Sequence, residues 1–412
     1  WKALTDQVLE LQNAWKSIGF ATKKENERIW KEFRNACNVF FDAKKAYFDK
    51  LVTPERRRAL SLSSGEFGEV ETYKDVIREI GRDGWLGIGW PTEYGGQNRS
   101  MLEQLIFTDV AAVAGVPIPY LTLNTVGPTI MRFGSEAQKS YFLPKILTGD
   151  LHFSIGYSEP ESGTDMASMR TRARREGDEW VIDGQKMWTS LIQYADWIWL
   201  GVRTDQDLPR HKGLSIVLVP ADSKGFSYTP VHTVAGVGTS ATYYDGVRVP
   251  VDNLVGELNG GWPLMTNQLN HERVALTSAA PLIHSLEQVI EWAKETKRDG
   301  IRVIDTDWVQ ALLGRAHART EMLRLLNLKL ATATQNLSPA DASATKVFGS
   351  ELATEAYRAL MEIVGPASLV SAGSAGAALA GRLERFYRSS LVMTFGGGTN
   401  EIQRDIIGYV GL

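Results

Sequence analysis

The chain has 412 residues, a net charge of −3, six histidines and a single cysteine, Cys37. Its length exceeds what one hydrophobic core usually holds, and its charge lacks the basic excess of a general nucleic-acid binder. No run approaches the ~20 apolar residues of a membrane-crossing helix, the start carries no signal-peptide pattern, one thiol forms no internal disulfide, and the scattered histidines have no metal-ligand spacing. The expected protein is cytoplasmic, with no nucleic-acid or membrane partner and no metal. Its chemistry must come from carboxylates, hydroxyls, backbone groups or a cofactor.

Residues 1–147 read mainly as helices. Thr22-Lys23-Lys24-Glu25 has capping-box spacing, and Trp30, Phe33, Cys37, Phe40 and Phe41 follow on one helical face that Tyr47 and Phe48 continue. A helix over 77–84 stops at Gly84, before a Gly- and Pro-rich bend from Gly87 to Gly96. Residues 151–256 change to β character. Trp180-Val181-Ile182, Asp183-Gly184 and Gln185-Lys186-Met187-Trp188 read as a hairpin, because Asp-Gly accepts the positive φ of a type I′ turn. Further strands are predicted at 196–203, 214–219 and 244–251, giving a small antiparallel β domain. From 260 the pattern returns to helix, with Val309, Leu312, Leu313, Ala316, Thr320, Leu323, Leu326 and Leu330 at mostly three- and four-residue spacing. The order helical, β, helical is not the alternation of a Rossmann fold, and neither a P-loop nor a convincing G-x-G-x-x-G occurs.

Three segments carry a resemblance: Phe153-Ser154-Ile155-Gly156-Tyr157-Ser158-Glu159-Pro160-Glu161-Ser162-Gly163-Thr164-Asp165, Asp183-Gly184-Gln185-Lys186-Met187-Trp188-Thr189-Ser190, and Phe395-Gly396-Gly397-Gly398-Thr399-Asn400-Glu401-Ile402-Gln403-Arg404. Each resembles a signature of the acyl-CoA dehydrogenase family, in the family's order, over roughly residues 53 to 412. Tyr94-Gly95-Gly96 and Asn267-Gln268-Leu269-Asn270-His271-Glu272-Arg273 are most similar to the α subunits of actinobacterial dehydrogenases acting on cholesterol side-chain CoA thioesters. The first fifty residues instead resemble a bacterial helical repeat of unknown function. The resemblance implies an α+β protein with the acyl-CoA dehydrogenase fold: a helical segment over 1–52, an N-terminal helical domain over 53–147, a middle antiparallel β domain over 148–258 and a C-terminal helical bundle over 259–412.

It also implies FAD as cofactor. Ile155, Tyr157, Ser158, Gly163, Thr164, Trp188, Ser190, Thr399 and Glu401 are the expected cofactor-binding residues. A flavin needs hydrogen bonds along its ring edge and an aromatic wall on one face, which Ser158, Ser190 and Trp188 can supply; taken alone, Trp188 would read as a hairpin core residue. Thr164, Asn270, Arg273 and Gly397 are expected at the acyl-CoA substrate. The reaction implied is α,β-dehydrogenation, in which a carboxylate takes the α proton while the β hydrogen leaves as hydride. A carboxylate base works best in a dry pocket, where desolvation raises its pKa.

Most of the family places that carboxylate two residues before the threonine of the third segment, where this chain has Gly397. A minority, the isovaleryl-CoA type, place it on a helix immediately before an arginine, and Glu272-Arg273 fits that pattern. Glu272 is therefore the expected base, with the backbone N–H of Gly397 donating to the thioester carbonyl. The bland reading of Glu272-Arg273 is two solvated charges. His271 reads as packing. In homotetrameric members an Arg-x-Thr/Gln-Phe-Gly run and a Gln before Gly-Gly-x-Gly complete a neighbour's flavin site. Here those stretches read Lys297-Arg298-Asp299-Gly300-Ile301 and Glu362-Ile363-Val364-Gly365-Pro366-Ala367, where Asp299 brings the wrong charge towards phosphate and Pro366 removes a donor. The expectation is an α2β2 heterotetramer with a paralogous subunit, passing electrons to an electron-transfer flavoprotein. The alternatives are a non-catalytic subunit of such a complex, an acyl-CoA oxidase or a monooxygenase of the same fold, or drift within a homotetramer.

Overall fold

The computed structural model describes residues 46–60, 69–236, 238–275, 277–332 and 338–411. The capping box at Thr22 and the aromatic face from Trp30 to Phe41 lie outside them. The chain divides into two compact units, Trp1–Arg57 and Arg58–Leu412. In the first, residues 46–51 are helical, Phe48 and Leu51 are buried, and the Arg56 guanidinium donates to the Leu51 carbonyl; α1 (Pro54–Leu60) begins in this unit and ends in the second.

The second unit opens with helices α2 (Val70–Arg82), α3 (Met101–Ala114), α4 (Gly127–Phe133) and α5 (Glu136–Thr148). α2 buries Tyr73, Val76, Ile77 and Ile80, one stripe at helical spacing, and ends as expected before Gly84. A π-helical turn, Leu121–Val126, enters α4. The sheet comprises β1 (Phe153–Gly156), β2 (Arg172–Glu176), β3 (Glu179–Lys186), β4 (Trp197–Arg203), β5 (Leu214–Pro220), β6 (Phe226–His232), β7 (Gly238–Pro250) and β8 (Leu254–Val255). Its order is β6-β7-β3-β2-β4-β5-β8, with β1 beside β4. Pairing is antiparallel except where β4 meets β1 and β2. The C-terminal helices are α6 (Gly261–Ala275), α7 (Ala280–Glu295), α8 (Asp307–Thr332), α9 (Pro339–Val364), α10 (Arg382–Ser390) and α11 (Asn400–Val410), with a two-stranded ribbon, β9 (Lys297–Arg298) and β10 (Ile301–Arg302), between α7 and α8. α8 buries Val309, Leu313, Ala316, Thr320, Leu323 and Leu330, the stripe its sequence predicts. Among the described residues no helix is long and apolar enough to cross a membrane.

The predicted hairpin at Asp183-Gly184 is not formed. Both residues lie inside the continuous strand β3, and the turn sits at Gly177-Asp178, where Glu176 pairs with Glu179 and Gly177 has φ 64°. Gly184 is needed for a different reason: a Cβ there would stand 2.5 Å from the Thr171 hydroxyl. Asp183 accepts from the Gly246 N–H where β7 carries an extra residue against β3. The glycine answers a close approach between strands, which a turn motif imitates.

His152, just before β1, carries a separate consequence for stability. Its ring is buried against Tyr73, 5.5 Å between centroids, and the His152 backbone N–H donates to Asp196, which pairs with Lys74 at 2.9 Å. Burial lowers its pKa from 6.5 to about 4, over the opposing pull of Asp196. Between those values the unfolded chain holds a proton that the folded one lacks, so this contribution is present above pH 6.5 and lost as pH falls to about 4. The loss is about 3 kcal/mol. Asp109 works in the opposite direction: burial raises its pKa from 3.8 to about 6, against a Ser278 hydrogen bond, so it stabilises as pH falls through that range. Wild-type melting alone therefore mixes the two. In His152→Gln the acid-side fall in melting temperature should be smaller than in wild type, and an identical slope would overturn this account.

Candidate active site

The first two signature segments meet along the sheet. Met187 N–H donates to the Ser158 carbonyl at 2.8 Å, and the Ser154 hydroxyl donates to the Ser190 carbonyl at 2.6 Å. Thr189 N–H is held by the Ser240 carbonyl at 2.9 Å, and its hydroxyl lies 3.2 Å from that of Thr242. Trp188 stands between these anchored neighbours with φ 62° and its side chain 54% exposed. The indole is thus an exposed flat face on a backbone fixed at both sides, in a conformation a bulky residue rarely adopts. Trp188 is thus not a hairpin core residue. Ser158 and Ser190 are half-buried beside it, and Ile155 on β1 is half-buried too. Gly163 and Thr164 are exposed, and a Cβ at Gly163 would meet no atom within 4 Å.

Beneath this wall lies an ion pair that the motifs contain but sequence reading does not assign. Lys186, fully buried, places its ammonium 2.8 Å from the carboxylate of Glu159 and donates to the Tyr157 carbonyl at 3.1 Å. Glu159 also accepts from the Arg170 and Thr171 N–H groups at 2.6 and 2.8 Å. Burial pulls the Lys186 pKa down to about 8 against the field of Glu159. Burial pushes Glu159 upward, but Lys186 and the two backbone donors outweigh it, leaving the carboxyl below its usual range. The pair ties the segment after β1 to the end of β3.

Tyr157 turns inward rather than towards the open face. Its hydroxyl accepts from Trp199 Nε1 at 2.8 Å and donates to Gln268 Oε1 on α6. α6 is the helix that carries Asn270, Glu272 and Arg273 at its C-terminal end, as backbone placement shows; their side chains are outside the described atoms. The third signature segment forms the loop before α11. Gly397 and Gly398 have φ 69° and 98°, a left-handed pair that glycine adopts without strain. Thr399 caps α11 through its side-chain oxygen, and Glu401 lies exposed in the first turn, the favourable end for a carboxylate. Lys346 on α9, fully buried, donates to the Gly398 carbonyl at 2.7 Å and to Asn400 Oδ1 at 2.8 Å, fixing that loop. One turn along α9, a Cβ on Gly349 would stand 2.7 Å from Thr277, so α9 closes on the chain just beyond α6. Lysine amid Ala342, Ser343, Thr345 and Val347 is the sequence signal for this clamp, because a cation among small buried residues needs a purpose.

Of the segments expected to face a neighbour's flavin, residues 297–300, Glu362 and Pro366 are exposed. Asp299 and Gly300, φ 50° and 83°, turn the β9–β10 ribbon. Arg298 donates to the Ile363 and Val364 carbonyls at 2.9 and 2.8 Å, closing the C-terminal end of α9, and Pro366 opens a short 3₁₀ turn.

Models of the acyl-CoA dehydrogenase N-terminal, middle and C-terminal domains match residues 40–150, 154–247 and 259–412. The chain is 59% identical over 377 residues to acyl-CoA dehydrogenase FadE26 of Mycobacterium tuberculosis, covering 89% of this chain and 94% of that one. It belongs to the acyl-CoA dehydrogenase family. A second relative of this dehydrogenase, FadE29 of the same organism, is 45% identical with the same coverage. Among solved structures, the ChsE4-ChsE5 complex from M. tuberculosis superposes with a TM-score of 0.86 at 56% identity, covering 96% of this chain and 98% of that one. The Tcur3481-Tcur3483 steroid ACAD gives 0.85 at 47% identity, covering 92% and 97%. The helical, β, helical arrangement is therefore that of the family, and the chain is an acyl-CoA dehydrogenase.

Proposed function

We propose that this acyl-CoA dehydrogenase oxidises the Cα–Cβ bond of a branched, steroid side-chain acyl-CoA, with Glu272 as base, in an α2β2 assembly with a paralogous subunit. The observation that carries the reading is the Gly397-Gly398 pair. The family's common base position holds no side chain here, while Trp188 presents an exposed face and Glu272 stands on a helix bonded to Tyr157, next to Ser158. FAD fits the residues present: the fixed, exposed indole of Trp188 offers a flat apolar face, and Ser158 and Ser190 border it with hydroxyls. FAD held there would supply a hydride acceptor for the β hydrogen, with an electron-transfer flavoprotein as the outlet for the electrons.

The chain's own groups do the rest. The Glu272 carboxylate takes the α proton and becomes the carboxylic acid, with Arg273 orienting acid or substrate and Asn270 beside it. The Gly397 N–H donates to the thioester oxygen as negative charge develops there, an interaction of roughly several kcal/mol. Absence of a side chain at 397 leaves room beside a 2-methyl branch. The Tcur3481-Tcur3483 steroid ACAD supports the substrate class, and it and the ChsE4-ChsE5 complex, each named as a pair of proteins, support the partner. The test is expression alone and with a paralogous subunit, followed by particle mass, flavin count and turnover. The expected result is flavin and activity only in the mixed complex, with 2-methyl-branched steroid thioesters preferred. A fully flavinated homotetramer would remove the partner, and a straight-chain preference would remove the substrate.

A further inference from the structure

Gln268 lies on α6 four residues before Glu272, one helical turn or about 6 Å along the axis. It is fully buried, as are Trp199 and, nearly so, Thr125 and Tyr157. Burying an amide is costly unless both ends are bonded, and leucine would fill the space more cheaply. Here both ends are bonded in a single direction. Trp199 Nε1, a donor only, gives to the Tyr157 hydroxyl at 2.8 Å; Tyr157 gives to Gln268 Oε1; Gln268 Nε2 gives to Thr125 Oγ1 at 3.3 Å; Thr125 gives to the Leu121 carbonyl. The four residues sit on β4, on the segment leading into Ser158, on α6 and on the π-helical turn Leu121–Val126, so one chain of bonds joins three layers of the fold.

We infer that the Trp199–Tyr157–Gln268–Thr125 relay is a positioning device that sets the helix bearing the base against the flavin wall. It rests on Glu272 being the base. Proton removal depends steeply on where the carboxylate stands, and a displacement of about 1 Å can cost up to ~10² in rate. The wall is already tied to β3 by Lys186 and Glu159, and the relay makes α6 follow the same wall. Tyr157 thus contributes its backbone to the flavin face and its hydroxyl to the position of the base.

Tyr157→Phe and Gln268→Met each remove relay bonds while keeping shape. In the flavinated enzyme, assembled as purified, kcat per bound flavin should fall about tenfold for each with KM nearly unchanged, and the pH profile of kcat should shift. The double variant should be little worse than either single one, because both break the same relay. A packing role alone would lower melting temperature and flavin content but leave kcat per flavin and its pH profile at wild type, which would overturn the inference. Tyr157→Phe, lacking one oxygen, keeps the test open if Gln268→Met fails to fold. Glu272→Gln run alongside separates the two failures. If it keeps turnover, the base assignment falls; if it is inactive while both relay variants behave as wild type per flavin, the relay alone falls.

Discussion

Glu272→Gln is expected to lower kcat by about 10²–10⁴, the usual contribution of a positioned general base. Glutamine matches the shape of glutamate and keeps hydrogen-bonding capacity, but it cannot take the α proton. Substrate should therefore still bind with KM close to wild type, which marks an interaction made only in the transition state. Flavin content should not change, because the wall around Trp188 is built from β1, β3 and β7 and not from α6. Anaerobic mixing with substrate gives the clearest reading: wild type should bleach its flavin rapidly, and the variant should do so at the reduced rate. A variant that bleaches at the wild-type rate would show that the proton goes elsewhere and would return the chain to a supporting role in its complex.

The second large effect concerns stability. Lys186→Met should destabilise the protein by about 3–5 kcal/mol, because it leaves Glu159 buried without its counter-charge. Glu159 would retain the Arg170 and Thr171 N–H groups, which solvate one carboxylate oxygen each but carry no full charge. Adding Glu159→Gln should recover part of the loss, since the pair is then removed together and not broken. Thermal or denaturant unfolding measures both. A loss below about 1 kcal/mol would mean that water reaches the carboxylate, contrary to the burial of both groups.

The helical layers were legible because their signal is local. The α8 stripe from Val309 to Leu330 and the stop at Gly84 needed only spacing and a glycine. The sheet was legible in part. Strands β4 and β5 matched continuous apolar runs, but β1, β2 and β6 did not stand out, and the parallel pairing of β1 with β4 brings together residues 44 apart, as Phe153 with Trp197. Asp183-Gly184 misled because a glycine required by Thr171 looks the same, in sequence, as one required by a turn. The site divides similarly. Trp188, Ser158 and Ser190 stand in motifs that are readable locally, and the fold brings their segments together. Lys186, Gln268 and Lys346 act through partners 27, 111 and 52 residues distant, and no local pattern announces such pairs.

The left-handed pair at 397 and 398 bears on how this protein could change. Restoring a carboxylate at the common position needs only Gly397→Glu, yet an L side chain at φ 69° adds roughly 1–2 kcal/mol of backbone strain. To relieve that strain the loop would have to bend away from the geometry that Lys346 holds through Gly398. Moving the base to position 397 would thus require the backbone and its lysine clamp to change along with the side chain. With respect to mutation, the present arrangement behaves as a ratchet.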